Sequence, residues 1–271
     1  MTSIDISKLP LWVQERDTVL EYSHHVQWRN GKKPDYTRSN ENLTRQSICN
    51  HPANSLETLV QNLVRTFDIE ANFKTNPQQW LSVVQDQFYM ATNNGTHYNL
   101  NDLIASGTYK LLIGNTEHYQ ASEENFETSV NLFHTAFPDG FLWEVIEVYS
   151  TPPTINFKWR HWGYFKGNYK DYLPTNQMIE IIGMTVVQVT DNFKILSLEH
   201  YYDNTKFLEE LTSGRKLPDI PVKTTITEET PNPSSIKQKI CGVLKGILGR
   251  GKKQQDNNVT ASRCPFANLV R

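Results

Sequence analysis

The fold of this protein is decided by residues 137–167, whose sequence is FPDGFLWEVIEVYSTPPTINFKWRHWGYFKG. Apolar and polar side chains alternate through much of this stretch, which is typical of β-strands with one buried face. The turn tripeptide Pro138-Asp139-Gly140 and the break at Thr151-Pro152-Pro153 divide it into separate strands. With the same alternation further along the chain, strands are predicted at Ser129–Phe137, Phe141–Tyr149, Ile155–Phe165, Met178–Val189 and Phe193–Tyr202.

Helical patterns precede these strands. Asn54 can cap a helix whose apolar side chains recur at three- and four-residue steps. A second helix is predicted from Asn76-Pro77 to the turn at Asn93-Asn94-Gly95, because proline is favoured at the first helical position. Helices followed by antiparallel strands indicate the α+β class, here a curved antiparallel β-sheet with N-terminal helices forming a cone. The concave side of such a sheet is the expected small-molecule site. Shorter helices are predicted at Leu100–Ser106 and Asn204–Leu211.

Composition excludes several classes of protein. The chain has 271 residues, a formal net charge of −2 and 38% hydrophobic residues, which favours a packed domain over a disordered chain or a nucleic-acid binder. Three scattered cysteines indicate neither a disulfide scaffold nor a cysteine zinc site, and the eight histidines are not clustered. We therefore expect no metal and no cofactor. Without a secretory signal or a long apolar run, we expect a cytoplasmic protein.

Shifts in composition divide the chain. We predict an N-terminal arm, a cone domain, a proline-rich linker, a basic amphipathic helix and a flexible tail. Within the arm, Thr37–Gln46 is interpreted as an exposed loop. The predicted boundaries are 1–50, 51–215, 216–235, 236–253 and 254–271, in that order.

The basic segment combines one apolar stripe with an entirely cationic polar face, which is typical of a helix that lies on an anionic membrane surface. We therefore expect peripheral contact with such a surface or with a partner. A disordered basic tail, or a helix that folds back on the domain, is the alternative. The cations that carry this prediction are Lys237, Lys239, Lys245, Arg250, Lys252 and Lys253.

Residues 137–167, with their Phe-Pro-x-Gly, Tyr-Ser-x-Pro-Pro and Arg-His-Trp-Gly-Tyr motifs, resemble the plant pathogen-related proteins. The following stretch, PTNQMIEIIGMTVVQVTDNFKILSLEHYYDNTKFLEEL, is similar to the C-terminal half of SnoaL-like proteins in the nuclear transport factor 2-like superfamily. The resemblance implies the cone fold, and by analogy with the superfamily a homodimer. It departs at Asn176, where the related pattern has glycine. Asparagine also tolerates positive φ, so we expect the turn to persist.

The resemblance makes Asp203 a candidate general acid and base, since SnoaL-like cyclases use an aspartate at this position. A carboxylate in an apolar pocket has a raised pKa and can exchange protons near neutral pH. Asp203 also directly precedes a predicted helix, so the alternative is an N-cap. Tyr201 and Glu199 share its face of the last strand by period two.

His161 could polarise a carbonyl or move a proton if it faces the cone with Trp159. The alternative is a core histidine that hydrogen-bonds to a neighbour. His134 and Tyr149 lie on predicted strands and are further candidate pocket residues. Glu180 could hold part of a ligand or pair with Arg160 across the sheet.

Two functions remain open from the sequence. In the first, the protein has a pocket for a small hydrophobic carbonyl-bearing or lipid-like ligand, with cofactor-free isomerase, cyclase or dehydratase chemistry. Asp203 would move the proton, and His161 or Tyr201 would polarise the oxygen. In the second, it is a non-catalytic carrier or a stress-response interaction protein, tethered to an anionic membrane through residues 236–253.

Overall fold

A computed structural model describes residues 9–218. Their helices are α1 (Arg16–Glu21), α2 (Thr37–Gln46), α3 (Leu56–Phe73), α4 (Leu100–Ser106), α5 (Thr108–Ile113), α6 (Phe126–Ala136) and α7 (Asn204–Thr212). Their strands are β1 (Tyr89–Thr92), β2 (Leu142–Val148), β3 (Thr154–Tyr164), β4 (Met178–Val189) and β5 (Ile195–Tyr202). The predicted α+β class is confirmed.

The strands form one sheet in the order β1-β5-β4-β3-β2. Strands β2 to β5 pair antiparallel, as predicted from their alternation. The short strand β1 was not predicted, and it pairs parallel to β5. The sheet is therefore mixed, with an antiparallel body and one parallel edge strand.

The two faces of the sheet differ in their burial. On β4 every second residue is buried, which follows from the two-residue period of strand side chains. Apart from Glu180, which is half-buried in an ion pair, the opposite face of β4 carries exposed apolar side chains such as Met178, Ile182 and Met184. We call the buried side, which faces helices α5, α6 and α7, the inner face.

Helix α3 forms as its sequence predicts, with one shift at its start. The side chain of Ser55, not Asn54, accepts the backbone N–H of Thr58 and caps the helix. The buried stripe of α3 includes Leu59, Leu63 and Phe67, which belong to the main core. Burial of this stripe, rather than helix propensity, holds an 18-residue helix of this kind in place.

The prediction of a strand at Ser129–Phe137 was wrong, because these residues form most of helix α6. Asn125 caps α6 through a reciprocal capping box with Thr128. The buried residues Phe126, Val130 and Phe133 recur at helical steps. The predicted hairpin is therefore a helix followed by strand β2.

Two further local predictions were wrong. Thr37–Gln46 is helix α2 and not a loop, and its last residue accepts a hydrogen bond through its side-chain oxygen from Trp162 Nε1 of β3. The helix predicted from Asn76-Pro77 is only a single 3₁₀ turn. The buried carboxylate of Glu70 accepts the backbone N–H groups of Leu81 and Ser82, which holds the following chain in an extended path.

The turn before β4 persists without glycine. Asn176 has a φ of 59°, the left-handed conformation that asparagine adopts more readily than other non-glycine residues. The break at Thr151-Pro152-Pro153 also lies between strands, as predicted.

Candidate functional site

The inner face of the sheet is the candidate site, and its floor is Trp159. This side chain is 5% exposed and lies across the backbone of Gly183 on the neighbouring strand. Its indole Nε1 donates to Thr185 Oγ1 at 2.8 Å. The buried indole is therefore fully satisfied, as aromatic side chains with a polar atom usually are in a core.

Thr185 continues this contact to His200. Its Oγ1 lies 2.8 Å from Nδ1 of His200, which sits opposite it on β5. An indole nitrogen only donates, so Thr185 Oγ1 accepts there, and the hydroxyl retains both a proton and a second lone pair for its bond with His200 Nδ1. Burial lowers the pKa of His200 to about 4. His200 is thus neutral at pH 7.

The tautomer of His161 is set by a hydrogen bond to the backbone. Its Nδ1 lies 2.7 Å from the carbonyl oxygen of Leu142, which can only accept. Burial lowers the pKa of His161 to about 4, with the bond to Leu142 acting weakly in the other direction. The neutral ring therefore leaves Nε2 as a hydrogen-bond acceptor. The ring of Phe141 stacks on it at 3.6 Å between centroids.

Aromatic rings connect helices α5, α6 and α7 to this face. Phe207 of α7 stacks with Phe141, at 5.5 Å, and with Phe133 of α6, at 5.9 Å. Tyr109 of α5 stacks on Phe133 at 4.7 Å. The space between the helices and the sheet is therefore lined, and in part filled, by aromatic side chains.

The third histidine, His134, lies on α6 and not on a strand as predicted. Its ring meets Tyr109 edge-on at 6.3 Å. Its Nδ1 is buried and has no hydrogen-bond partner within residues 9–218. Burial lowers the pKa of His134 to about 4, so it too is neutral at pH 7.

The site is surrounded by protein without being sealed. Burial shifts the pKa of all three histidines, and it raises the pKa of Tyr109 and Tyr202. All five side chains nevertheless keep part of their surface accessible. Tyr202 packs edge-on against Trp159 at 5.5 Å and donates its hydroxyl to the carbonyl of Leu112 on α5.

Sequence reasoning placed the catalytic groups on the wrong face of β5. Glu199 and Tyr201 lie on the face opposite His200, beside exposed Met184. The carboxylate of Glu199 is held by two tyrosines, with the hydroxyls of Tyr89 and Tyr201 each 2.9 Å from one of its oxygens. Alternation along β5 did not distinguish the faces, because both carry aromatic and polar residues.

Asp203 is exposed and caps helix α7. Its Oδ1 accepts the backbone N–H of Thr205 at 2.8 Å, which is the alternative that the sequence left open. His161 contacts Leu142 and Phe141 instead, so the two residues share none of these contacts. The structure therefore does not bring Asp203 and His161 together.

The two remaining predicted ligand residues also lie away from the inner face. Tyr149 is 51% exposed, just beyond the end of β2. Glu180 pairs with Arg160, as the structural alternative predicted, and Arg160 Nη1 also reaches Glu144 Oε1 at 3.0 Å. Of the predicted pocket residues, Trp159, His161 and His134 remain at the candidate site. His200, Tyr202 and Tyr109 were not predicted.

Two classes of site have no counterpart in the described part of the chain. Within residues 9–218, no group of three or more histidine, cysteine or acidic side chains is arranged to hold a metal ion. Over the same range, no helix combines the length and apolar character needed to cross a bilayer. The six predicted membrane-contact cations lie outside this range.

Comparisons with solved structures return proteins of low similarity. A protein with a ketosteroid isomerase-like fold from Catenulispora acidiphila, in complex with trimethylamine, aligns with a TM-score of 0.33 and 10% identity over 56% of this chain and 92% of its own. A SnoaL-like protein from Jannaschia sp. CCS1 gives 0.30 and 12% over 49% and 76%. An NTF2-like protein from Burkholderia thailandensis gives 0.29 and 13% over 50% and 85%.

The sequence comparison is more specific. No protein-family model matches the chain. A curated protein from barley, Hordeum vulgare, named pathogen-related protein, is 33% identical over 188 residues, which cover 67% of this chain and 80% of the barley protein. The resemblance to the plant pathogen-related proteins is thereby confirmed, and the chain belongs to the family of the barley pathogen-related protein.

Proposed function

We propose that the protein binds a small, largely apolar molecule with a carbonyl or hydroxyl group, between helices α5 and α6 and the inner face of the sheet. One observation carries this proposal: the inner face holds histidines that burial keeps neutral and that remain partly accessible. A mostly aromatic wall with a few placed polar groups is typical of a small-molecule site.

The two tautomers suit such a ligand. We take His200 as a donor at Nε2, the tautomer in which Thr185 donates to its Nδ1, and His161 offers an acceptor at Nε2. A ligand carbonyl can accept from the first, and a ligand hydroxyl can donate to the second. Neither histidine carries a charge at pH 7, so the site favours neutral molecules over ions.

The experiment uses the full-length protein and Nile red, a neutral, carbonyl-bearing dye that fluoresces in apolar surroundings. We expect a saturable rise in fluorescence. Replacement of His200 by glutamine is expected to weaken dye binding about fivefold, the effect of one lost hydrogen bond. Tyr201→Phe is the matched control, because Tyr201 is adjacent in sequence and lies on the opposite face.

A titration without saturation would contradict the proposal, and so would equal weakening by both substitutions. Native mass spectrometry of the purified protein complements the dye, since a co-purified small molecule identifies the natural ligand class directly.

The second candidate function is cofactor-free acid–base chemistry, namely isomerisation, cyclisation or dehydration. The unprotonated Nε2 of His161 favours it, because the Leu142 carbonyl leaves this nitrogen free to take a proton. In this version His161 replaces Asp203 as the base. His161→Asn would then abolish turnover of the bound molecule and spare Nile red binding, whereas Asp203→Asn would change neither.

A further inference from the structure

A cavity of about 340 Å³ lies away from the inner face. It is bounded by the end of α2, the segment 47–53, helix α3 and the side chain of Glu144 on β2. The segment is held to the edge of β2, where His51 Nε2 lies 2.7 Å from the Val145 carbonyl oxygen. Gln61 of α3 accepts the Val145 N–H at 3.2 Å. These two hydrogen bonds hold the segment 47–53 and helix α3, which form two walls of the cavity, against strand β2.

Arg65 of α3 lines this cavity, and its side chain carries an unmet hydrogen-bond donor. Its Nη2 is buried, and no acceptor among residues 9–218 reaches it. Burial lowers the pKa of Arg65 to about 10, and the positive charge of Arg16 acts in the same direction. The guanidinium nevertheless remains charged at pH 7. A buried guanidinium nitrogen without an acceptor is unfavourable, and an anion of matching geometry would satisfy it.

The carboxylate of Glu144 in the cavity wall does not accept a hydrogen bond from Arg65 Nη2. Its Oε1 accepts from Arg160 Nη1 at 3.0 Å and from the backbone N–H of Ile48 at 3.3 Å. Its Oε2 accepts from the hydroxyl of Ser47. Glu144 is thus committed to its neighbours, and its charge is balanced by Arg160.

The other acidic residue in the wall is Glu15, which is exposed. The negative charges of Glu15, Glu144 and Asp68 all raise the pKa of Arg65, and none of the three carboxylates hydrogen-bonds to the buried nitrogen. Glu15 is therefore a weak competitor for Arg65, and removal of its charge would favour an incoming anion.

We infer that this cavity is a binding site for a small-molecule carboxylate, with Arg65 as its anchor. The planar guanidinium matches a carboxylate through paired hydrogen bonds, and the volume admits a carboxylate with one ring or a short chain. Neighbouring polar groups in the wall are Thr44, Asn50, His51, Thr58 and Gln61. This site is separate from the inner face and independent of the function proposed for it.

The test titrates the full-length protein with benzoate and follows binding by saturation-transfer NMR and calorimetry. Benzamide, the neutral molecule of the same shape, is the ligand control. We expect benzoate to bind and Arg65→Gln to weaken it about tenfold or more, since a charge-assisted bond is lost. Glu15→Gln should strengthen benzoate binding. Lys206→Gln removes a positive charge from an exposed site on α7 and should change nothing.

Three outcomes would overturn the inference: no benzoate binding in the millimolar range, equal binding of benzoate and benzamide, or unchanged binding in Arg65→Gln. Circular dichroism checks that Arg65→Gln is folded, and if it is not, the increase expected for Glu15→Gln decides the question. His200→Gln should leave benzoate binding unchanged, which separates this site from the inner face.

Discussion

Trp159 and Gly183 are directly paired across β3 and β4, and the indole ring occupies the space that a Cβ at position 183 would need. A Cβ there would lie 2.6 Å from Cε2 and Cη2 of the ring, and closer still to Cζ2. The floor of the inner face therefore depends on a residue without a side chain. The glycine is required for the close approach of the indole and not for backbone conformation.

The first prediction concerns this pair. Gly183→Ala forces Trp159 to move and breaks its bond to Thr185, so we expect a loss of about 1–3 kcal/mol in the free energy of unfolding. Urea denaturation followed by tryptophan fluorescence measures it. Met184→Ala, one residue along and exposed, should change the free energy by much less. Equal effects of the two substitutions would contradict the described packing.

The second prediction concerns Asp203. As the N-cap of α7, it should tolerate asparagine, which also caps, whereas Asp203→Ala should destabilise the protein by about 1 kcal/mol. Thermal unfolding of the three proteins checks this order. If Asp203→Asn instead abolished a measured activity without a change in stability, the catalytic interpretation would be restored.

The third prediction is a pH dependence. The pKa values of His134, His161 and His200 are about 4 in the folded protein and near 6.5 when unfolded. The unfolded chain therefore binds more protons between these values, so stability is complete above about pH 6.5 and is lost as pH falls towards 4. Each histidine contributes a slope of about 1.4 kcal/mol per pH unit.

Urea denaturation between pH 7.5 and 5 measures this slope. His200→Gln should reduce the slope by about 1.4 kcal/mol per pH unit, the contribution of one histidine. A stability that stays level through this range would show that the three rings are not held in apolar surroundings.

The fourth prediction concerns Arg160, which is 4% exposed and pairs with both Glu144 and Glu180. Arg160→Met leaves the buried carboxylate of Glu144 without its cation, so we expect a loss of about 3 kcal/mol or more. Arg38→Met removes a half-exposed partner of Asp139 and should change stability by less than about 1 kcal/mol. The comparison uses urea denaturation at pH 7.

The fifth prediction tests the basic segment, residues 236–253. Full-length protein should sediment with phosphatidylserine vesicles at low salt and not with neutral phosphatidylcholine vesicles, because each cation near an anionic surface contributes about 1 kcal/mol. Replacement of the six lysines and arginines by glutamine should abolish sedimentation. Equal sedimentation with both vesicle types would contradict an electrostatic mode of binding.

The body of the sheet could be predicted from sequence because β3, β4 and β5 are bounded by turn residues and are rich in β-favouring residues. Helix α6 could not, because its β-favouring residues concealed a capping box at Asn125 and Thr128. Neither could the extended path after Pro77, since it depends on the carboxylate of Glu70, distant in sequence. Such long-range contacts override local propensity.

Only part of the candidate site could be predicted, because the sequence did not show which face of each strand is the inner one. Alternation along β3 predicted that Trp159 and His161 share a face but left open which face is the inner one, because buried side chains lie on both sides of β3. On β5 the choice lay between Glu199 with Tyr201 and His200 with Tyr202, and a one-residue shift exchanges the two sets. In the structure His200 and Tyr202 lie on the inner face, because His200 is paired with Thr185 of β4.

The contacts of Val145 have a consequence for self-association. Strand β2 is an outermost strand, and there His51 and Gln61 take the place of a neighbouring strand by bonding the Val145 carbonyl and N–H. An exposed edge strand can pair with a strand of another molecule and so start fibril formation. The segment that carries His51 thus blocks pairing of β2 with strands of other molecules. A protein truncated beyond His51 should therefore form insoluble fibrils.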